Sequence, residues 1–207
     1  MLPPTIPIFP LPNVVLFPNV FLPLHVFEPR YRAMLADALA GDRIIGMTLL
    51  MPGYEADYQG RPPVYPVGCA GVITHSEQLP DGRSNVVLRG IEKFRIVEED
   101  ASRDYRLARV EPLPEAASDA EKLLLKQRRH RIEALLVAAI ERGGQDPRFP
   151  PTIPDEDLVN ALSQYLGLDP MERQALLERD GILARCDGLI ELLEMKTYSP
   201  GGPKSVH

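Results

Sequence analysis

The sequence predicts an α+β protein in which a β-rich segment comes first and a group of helices follows. Up to about residue 115 the apolar residues fall in short runs cut by prolines and tight-turn signals, and beyond it they recur at helical spacing. The one helical period in the first half carries its own start and stop signals. With 207 residues, 44% of them apolar and 25% charged, the chain is long enough to bury a core without staples. The boundaries expected are a β-barrel-like part over 1–115, a helical part over 116–198 and a disordered tail over 199–207.

The elements follow in order. Prolines at 3, 4, 7, 10, 12, 18 and 23 each remove a ladder donor, so the apolar pieces before residue 24 read as short strands at edges or bulges. Pro29 suits a first helical turn, Tyr31, Met34, Leu35, Ala38 and Leu39 share a face, and Gly41 is the expected cap. Ile44 to Met51 is a continuous apolar run, as in a buried strand, and Gly53 to Pro66 reads as a long loop rich in Pro, Gly and Tyr. Val67 to Leu79 and Asn85 to Val97 flank Pro80-Asp-Gly-Arg83, a hairpin turn signal. In the second arm Val86 and Leu88 share parity with Phe94 and Ile96 but not with Ile91, so Gly90 marks an expected bulge or strand break. Tyr105 to Val110 supplies one more strand.

Past Pro112 and Pro114, Ser118 and Glu121 form a capping-box signature, followed by Leu125, Ile132, Leu136 and Ala139 up to Gly143-Gly144. Leu158, Leu162, Tyr165 and Leu166 precede Gly167. Asp169-Pro170 opens a segment reaching about Arg179, and Ile182, Cys186, Leu189, Ile190 and Leu193 mark the last helix. Ser199 to His207 has little to bury.

Composition narrows the function. Cys69 and Cys186 lie far apart in apolar stretches, which fits buried free thiols in a reducing compartment rather than a disulfide or a metal finger. No apolar run approaches the roughly 18 residues of a membrane span, and no basic residue precedes Arg30 as a secretory leader would require. A cytoplasmic protein without a membrane partner is expected. A net charge of -6 works against nucleic acid. The one basic run, Lys126 to Arg131, is spread around most of a helix circumference rather than gathered into a stripe.

Signatures of catalysis are missing from the sequence: no phosphate loop, dinucleotide fingerprint, zinc helix or nucleophile elbow occurs. His25, His75, His130 and His207 show no ligand spacing, and His75 and Ser76, adjacent on a strand, point to opposite faces. The acidic runs 98–100 and 155–157 read as solvated element ends. No cofactor, metal or catalytic residue is assigned.

A family likeness does emerge. Ile6-Pro-Ile-Phe-Pro-Leu-Pro-Asn-Val-Val-Leu-Phe-Pro18, followed by Phe21-Leu-Pro-Leu-His-Val-Phe-Glu-Pro-Arg-Tyr31, resembles the opening of the Lon protease N-terminal domain. Val67-Gly-Cys-Ala-Gly71, the Leu79-Pro-Asp-Gly-Arg83 turn and Asn85 to Ile96 continue the resemblance, with Lys93-Phe94 where the family pattern has Arg-Phe. The segments around Leu158, Leu176, Ala184-Arg185 and Leu189 extend it, so that it spans residues 5 to 197. The resemblance implies a PUA-like β pseudo-barrel followed by a helical bundle, a domain that in Lon engages unfolded or tagged proteins and helps assemble the oligomer. It also implies that ATPase and Ser-Lys protease activities, which belong to other parts of Lon, are lacking here.

The expected role is therefore a non-catalytic module that takes unfolded or hydrophobic segments of client polypeptides, with a protease as a further partner. The expected apolar surface lies between barrel and helices or beside the tyrosine loop. Tyr54, Tyr58 and Tyr65 are the candidate contacts, because aromatic side chains bury much area at low entropic cost, with packing onto the barrel as the competing role. His25, Glu28 and Arg30 join them from the signature, where capping and local pairing is the competing role. An adaptor with one dedicated partner and an RNA-binding PUA-like protein are the alternatives. Oligomeric state is left open.

Overall fold

The computed structural model describes residues 2–58, 60–141 and 152–198. The expected helix stop at Gly143-Gly144 and the tail 199–207 lie outside them. The architecture is α+β. By packing, the chain divides into two units, one of residues 1–115 with 160–178, the other of 116–159 with 179–207, insofar as these are described.

The first unit is built on one six-stranded sheet: β1 Thr5–Leu11, β2 Phe21–Val26, β3 Ile44–Leu49, β4 Val67–Gln78, β5 Ser84–Asp100 and β6 Arg106–Leu113. Their order is β2-β5-β4-β3-β1-β6, with β6 also pairing with β5. The pairings β1–β3–β4–β5–β6–β1 thus form a closed circuit, with β2 attached outside it along the first part of β5. Among the described strands only β1 and β3 pair in parallel, and β2 and helix α1, Pro29–Ala40, lie in the crossover between them. Closing a sheet leaves fewer open edges and gives alternate residues an inside. Ile6, Ile8, Ala70, Phe94, Ala108 and Val110 form that core.

A strand as long as β5 must bend to meet β2, β4 and β6, and bulges supply the bending. Glu92 pairs with Ala70 and Gly90 with Gly71, leaving Ile91 as the extra residue where the sequence places a bulge. Two more fall at Thr74 on β4 and Val97 on β5. Between the arms, Gly82 adopts φ +79° and its N–H bonds to the Leu79 carbonyl at 2.9 Å, as the Asp-Gly signal requires.

Helix α1 buries Tyr31, Met34, Leu35 and Ala38, the face read from spacing. Residues 160–178, which a single cut near 115 would place with the helices, group instead with the sheet. Side-chain bonds tie these residues to strand and loop backbone. Gln164 accepts from Phe17 N–H at 3.0 Å and donates to the Phe21 carbonyl at 3.0 Å, while Gln174 donates to the Val67 carbonyl at 2.9 Å. They belong to α3, Asp155–Tyr165, and α4, Pro170–Leu177, the latter opened by an Asp169/Glu172 capping box.

In the second unit α2, Asp119–Glu141, packs with α5, Ile182–Tyr198. The α2 start is fixed by Ser118 and Glu121, whose side chains each bond to the other's N–H. Leu125, Ile132 and Leu135 on α2 and Ile182, Cys186 and Leu189 on α5 are buried. Both cysteines are buried and outside any disulfide, and burial pushes the Cys186 thiol up to about 12, which disfavours the thiolate. No helix among the described residues is long and apolar enough to cross a membrane.

Candidate functional site

The loop between β3 and β4 is pinned at its base. Met51 N–H bonds to the Pro63 carbonyl, Tyr65 N–H to the Leu49 carbonyl, both at 2.9 Å, and Leu50 bridges to Val64. Beyond this base Gly53, at φ +88°, turns the chain into a short 3-10 helix, Tyr54–Asp57. Between Pro52 and Arg61 no described residue is buried, so polar bonds rather than apolar packing hold the loop down.

Those bonds converge on the start of α1. Tyr58 Oη donates to Glu28 Oε1 at 3.1 Å, and Arg30 Nε donates to Glu28 Oε2 at 3.1 Å. The Arg30 Nη atoms reach the loop backbone, at the Tyr58 carbonyl at 3.2 Å and the Gly60 carbonyl at 3.4 Å. The same guanidinium stands 4.7 Å from the Tyr31 ring centre and 5.7 Å from that of Tyr58, within cation–π range. Tyr54 meets Tyr58 edge-on at 6.1 Å, and Tyr31 lies against Phe9 at 4.4 Å. Beneath the loop is a small cleft lined by Pro10, Arg30, Tyr31, Tyr58, Arg61 and Arg106, among others.

Arg106 also lines this cleft. It is 6% exposed, makes two 3.0 Å bonds to the Glu99 carboxylate, and donates to the Pro62 carbonyl. Arg61 ties the loop outward, to the Arg103 carbonyl at 2.9 Å and the Asp100 carbonyl at 3.3 Å. Nearby Tyr105 donates to Asp37 at 2.6 Å.

The phenols report this environment. Burial raises Tyr31 to about 12, against the lowering influence of Arg30. Burial and the bond to Asp37 raise Tyr105 to about 12, and burial followed by the Glu28 charge raises Tyr58. In the unfolded chain these groups ionise near the ordinary 10.0. The unfolded state therefore loses protons first, and the stability they contribute, fully present below about pH 10, is lost as pH rises through about 12. An alkaline titration of phenolate absorbance should show Tyr31 and Tyr105 ionising late and together with unfolding. Independent ionisation near the ordinary value, in folded protein, would contradict the assignment.

Of the six candidate residues, the structure brings together Tyr54, Tyr58, Glu28 and Arg30. Tyr65 sits at the loop base, half-buried. His25 belongs elsewhere, on β2, where its Nδ1 lies 2.9 Å from Asn85 Oδ1 on β5 and its ring 6.2 Å from that of Phe27. Arg61 and Arg106 escaped the sequence reading. For Arg106 a signal existed, since it shares strand parity with Ala108 and Val110 and so had to point inward.

The basic run on α2 is largely neutralised. Arg128 pairs with Asp187 at 2.8 Å, Arg129 with Glu133 and Asp155 at 2.8 Å, and Arg131 with Glu194 at 2.6 Å. Guanidiniums engaged in this way offer little to a phosphate backbone. Among the described residues no group of three or more His, Cys, Asp or Glu is placed to hold a metal ion.

Comparison with known proteins gives a consistent result. The family model of the ATP-dependent protease La (LON) substrate-binding domain matches residues 5–195. The Lon protease of Cytophaga hutchinsonii is 26% identical over 204 residues, covering 93% of this chain and 24% of that protein. Lon protease 2 of Syntrophobacter fumaroxidans is 31% identical over 180 residues, covering 86% of this chain and 22% of that protein. The chain thus spans about a quarter of the length of these relatives. In fold it is similar to the N-terminal domain of Mycobacterium avium complex Lon protease, with TM-score 0.65, 19% identity, and 92% of this chain and 98% of that one covered. The Lon N-terminal domain protein from Xanthomonas campestris follows with TM-score 0.59, 23% identity, and coverages of 95% and 99%.

Proposed function

The chain belongs to the LON substrate-binding domain family, and from that premise we propose that it is a non-catalytic module binding unfolded or hydrophobic segments of client polypeptides. The observation that carries the reading is the cluster of Glu28, Arg30, Tyr54 and Tyr58. Arg30 and Tyr58 line the cleft beneath a loop in which no described residue between Pro52 and Arg61 is buried, and Tyr54 meets Tyr58 edge-on. Aromatic and arginine side chains suit polypeptide capture, the first by burying area and the second by donating to backbone carbonyls. A protease is the natural second partner, since the relatives of this chain are proteases. The neutralised α2 arginines weigh against the RNA alternative.

The test is fluorescence anisotropy of a labelled, permanently unfolded polypeptide titrated with the protein, with single-stranded RNA as a parallel probe and ATP as an additive. Saturable binding of the polypeptide, indifferent to ATP, is expected. No binding, or binding of RNA alone with a steep salt dependence, would overturn the reading.

A further inference from the structure

Strand β2 has a strand neighbour on one side only, β5, whereas each of the other strands of the sheet pairs on both sides over part of its length. Which of its main-chain groups are left over follows from the register. In an antiparallel pair, bonded residues alternate with residues whose N–H and C=O point away from the partner. Gly90 N–H bonds to the Val20 carbonyl. The register running on from that pair, Leu22 with Leu88 and Leu24 with Val86, keeps the even positions facing β5. Phe21, Pro23 and His25 therefore turn their main-chain groups outward. Two observations agree. Pro23 has no N–H to give to a ladder, and the Phe21 carbonyl is taken by α3, through Gln164 Nε2 at 3.0 Å and Tyr165 Oη at 2.6 Å. Beyond the sheet no described main-chain group bonds to Pro23 or His25, and both residues are exposed.

We propose that this edge of β2 is where a client polypeptide adds as an extended strand, paired to Pro23 and His25 through main-chain hydrogen bonds. The inference rests on the polypeptide-binding reading above and adds how the chain of a client is held. Main-chain pairing does not consult side chains, which suits clients of varied sequence. The edge also leads to the proposed site, since only Phe27 separates Val26, the last residue of β2, from Glu28. A second copy of this chain fits the edge worse. Pairing β2 with β2 brings two prolines without a donor to the shared ladder, whereas a client meets only one. The free side of β4 past Ile73 opens on the Thr74 bulge, a distortion that blunts an edge.

Proline at position 25 removes the outward donor of the stretch from Pro23 to His25 and spares the side facing β5, and Pro23 shows that the strand accepts proline at this parity. His25→Pro should therefore bind a labelled, reduced and carboxymethylated polypeptide about fivefold more weakly than His25→Ala, which keeps the N–H, as the loss of one ordinary hydrogen bond implies. Two such polypeptides of unrelated sequence should respond alike. Circular dichroism and thermal unfolding establish that both variants fold. In the wild-type protein, amide exchange followed residue by residue should slow at His25 once the polypeptide saturates. It should stay unchanged at Leu24 and Val26, whose N–H groups face β5. Bound polypeptide with His25 exchanging as in the free protein, or folded His25→Pro binding as tightly as His25→Ala, would overturn the edge and leave polypeptide binding standing. Failure of the wild-type protein to bind would overturn both.

Discussion

Gly90→Val should cost the sheet unit most of its stability. A Cβ at this position would lie 2.0 Å from the Phe17 carbonyl oxygen and 2.8 Å from the carbonyl carbon, so the obstacle is backbone rather than a side chain that could swing away. Nor can the 17–20 segment retreat freely. Asn19 N–H bonds to the Gly90 carbonyl and Gly90 N–H to the Val20 carbonyl, both at 2.9 Å, and Phe17 N–H is itself bound by Gln164. Valine forces these apart and disrupts the turn that carries buried Leu16 and Phe17. Overpacking at a site that cannot relax costs typically about 1–3 kcal/mol, and breaking buried backbone bonds adds to it. A loss of about 4 kcal/mol or more, against a total of roughly 5–15 kcal/mol, should appear in urea unfolding as a much lower midpoint or as failure to fold. An unfolding free energy within about 1 kcal/mol of wild type would show that the close approach is not as described.

The second large effect is expected at Lys93. Its side chain is only 4% exposed, and its ammonium donates to Glu115 Oε1 at 2.7 Å, that carboxylate being 12% exposed. Removing one member of a buried pair leaves the other charge in a medium that solvates it poorly, which costs about 3–5 kcal/mol. Glu115→Ala should therefore destabilise the protein by about 3 kcal/mol, toward the lower end because Lys93 has further interactions. Lys93→Met with Glu115→Leu should recover most of the loss, since no charge is then left stranded. Destabilisation by the double variant equal to that of Glu115→Ala would mean that packing, not charge, dominates there.

These two sites illustrate what a single sequence conveys about a fold. The bulge at Ile91 was legible because parity slipped beside a glycine, whereas those at Thr74 and Val97 carry no glycine and left no mark. The α1 face, the 82-centred turn and the capping boxes were local, and local chemistry decides them. The grouping of 160–178 with the strands was not legible, because it depends on Gln164 and Gln174 reaching backbone more than a hundred positions away, a long-range fact with no periodicity. The same holds for the site. Glu28 and Arg30 stood out through the family likeness and Tyr54 and Tyr58 through loop composition, yet nothing in the sequence joined the two groups. Arg106 could have been found by treating an arginine on the core parity of a strand as a question rather than as noise.

Hydrogen exchange with and without a saturating unfolded polypeptide addresses the proposed function most directly, because it reports both engagement and place. Altered exchange is expected in the stretches 28–33 and 50–66, at the start of α1 and in the loop it holds, with little change on α2 and α5. Unchanged exchange throughout, or changes confined to the second unit, would contradict a polypeptide site at Glu28, Arg30 and Tyr58.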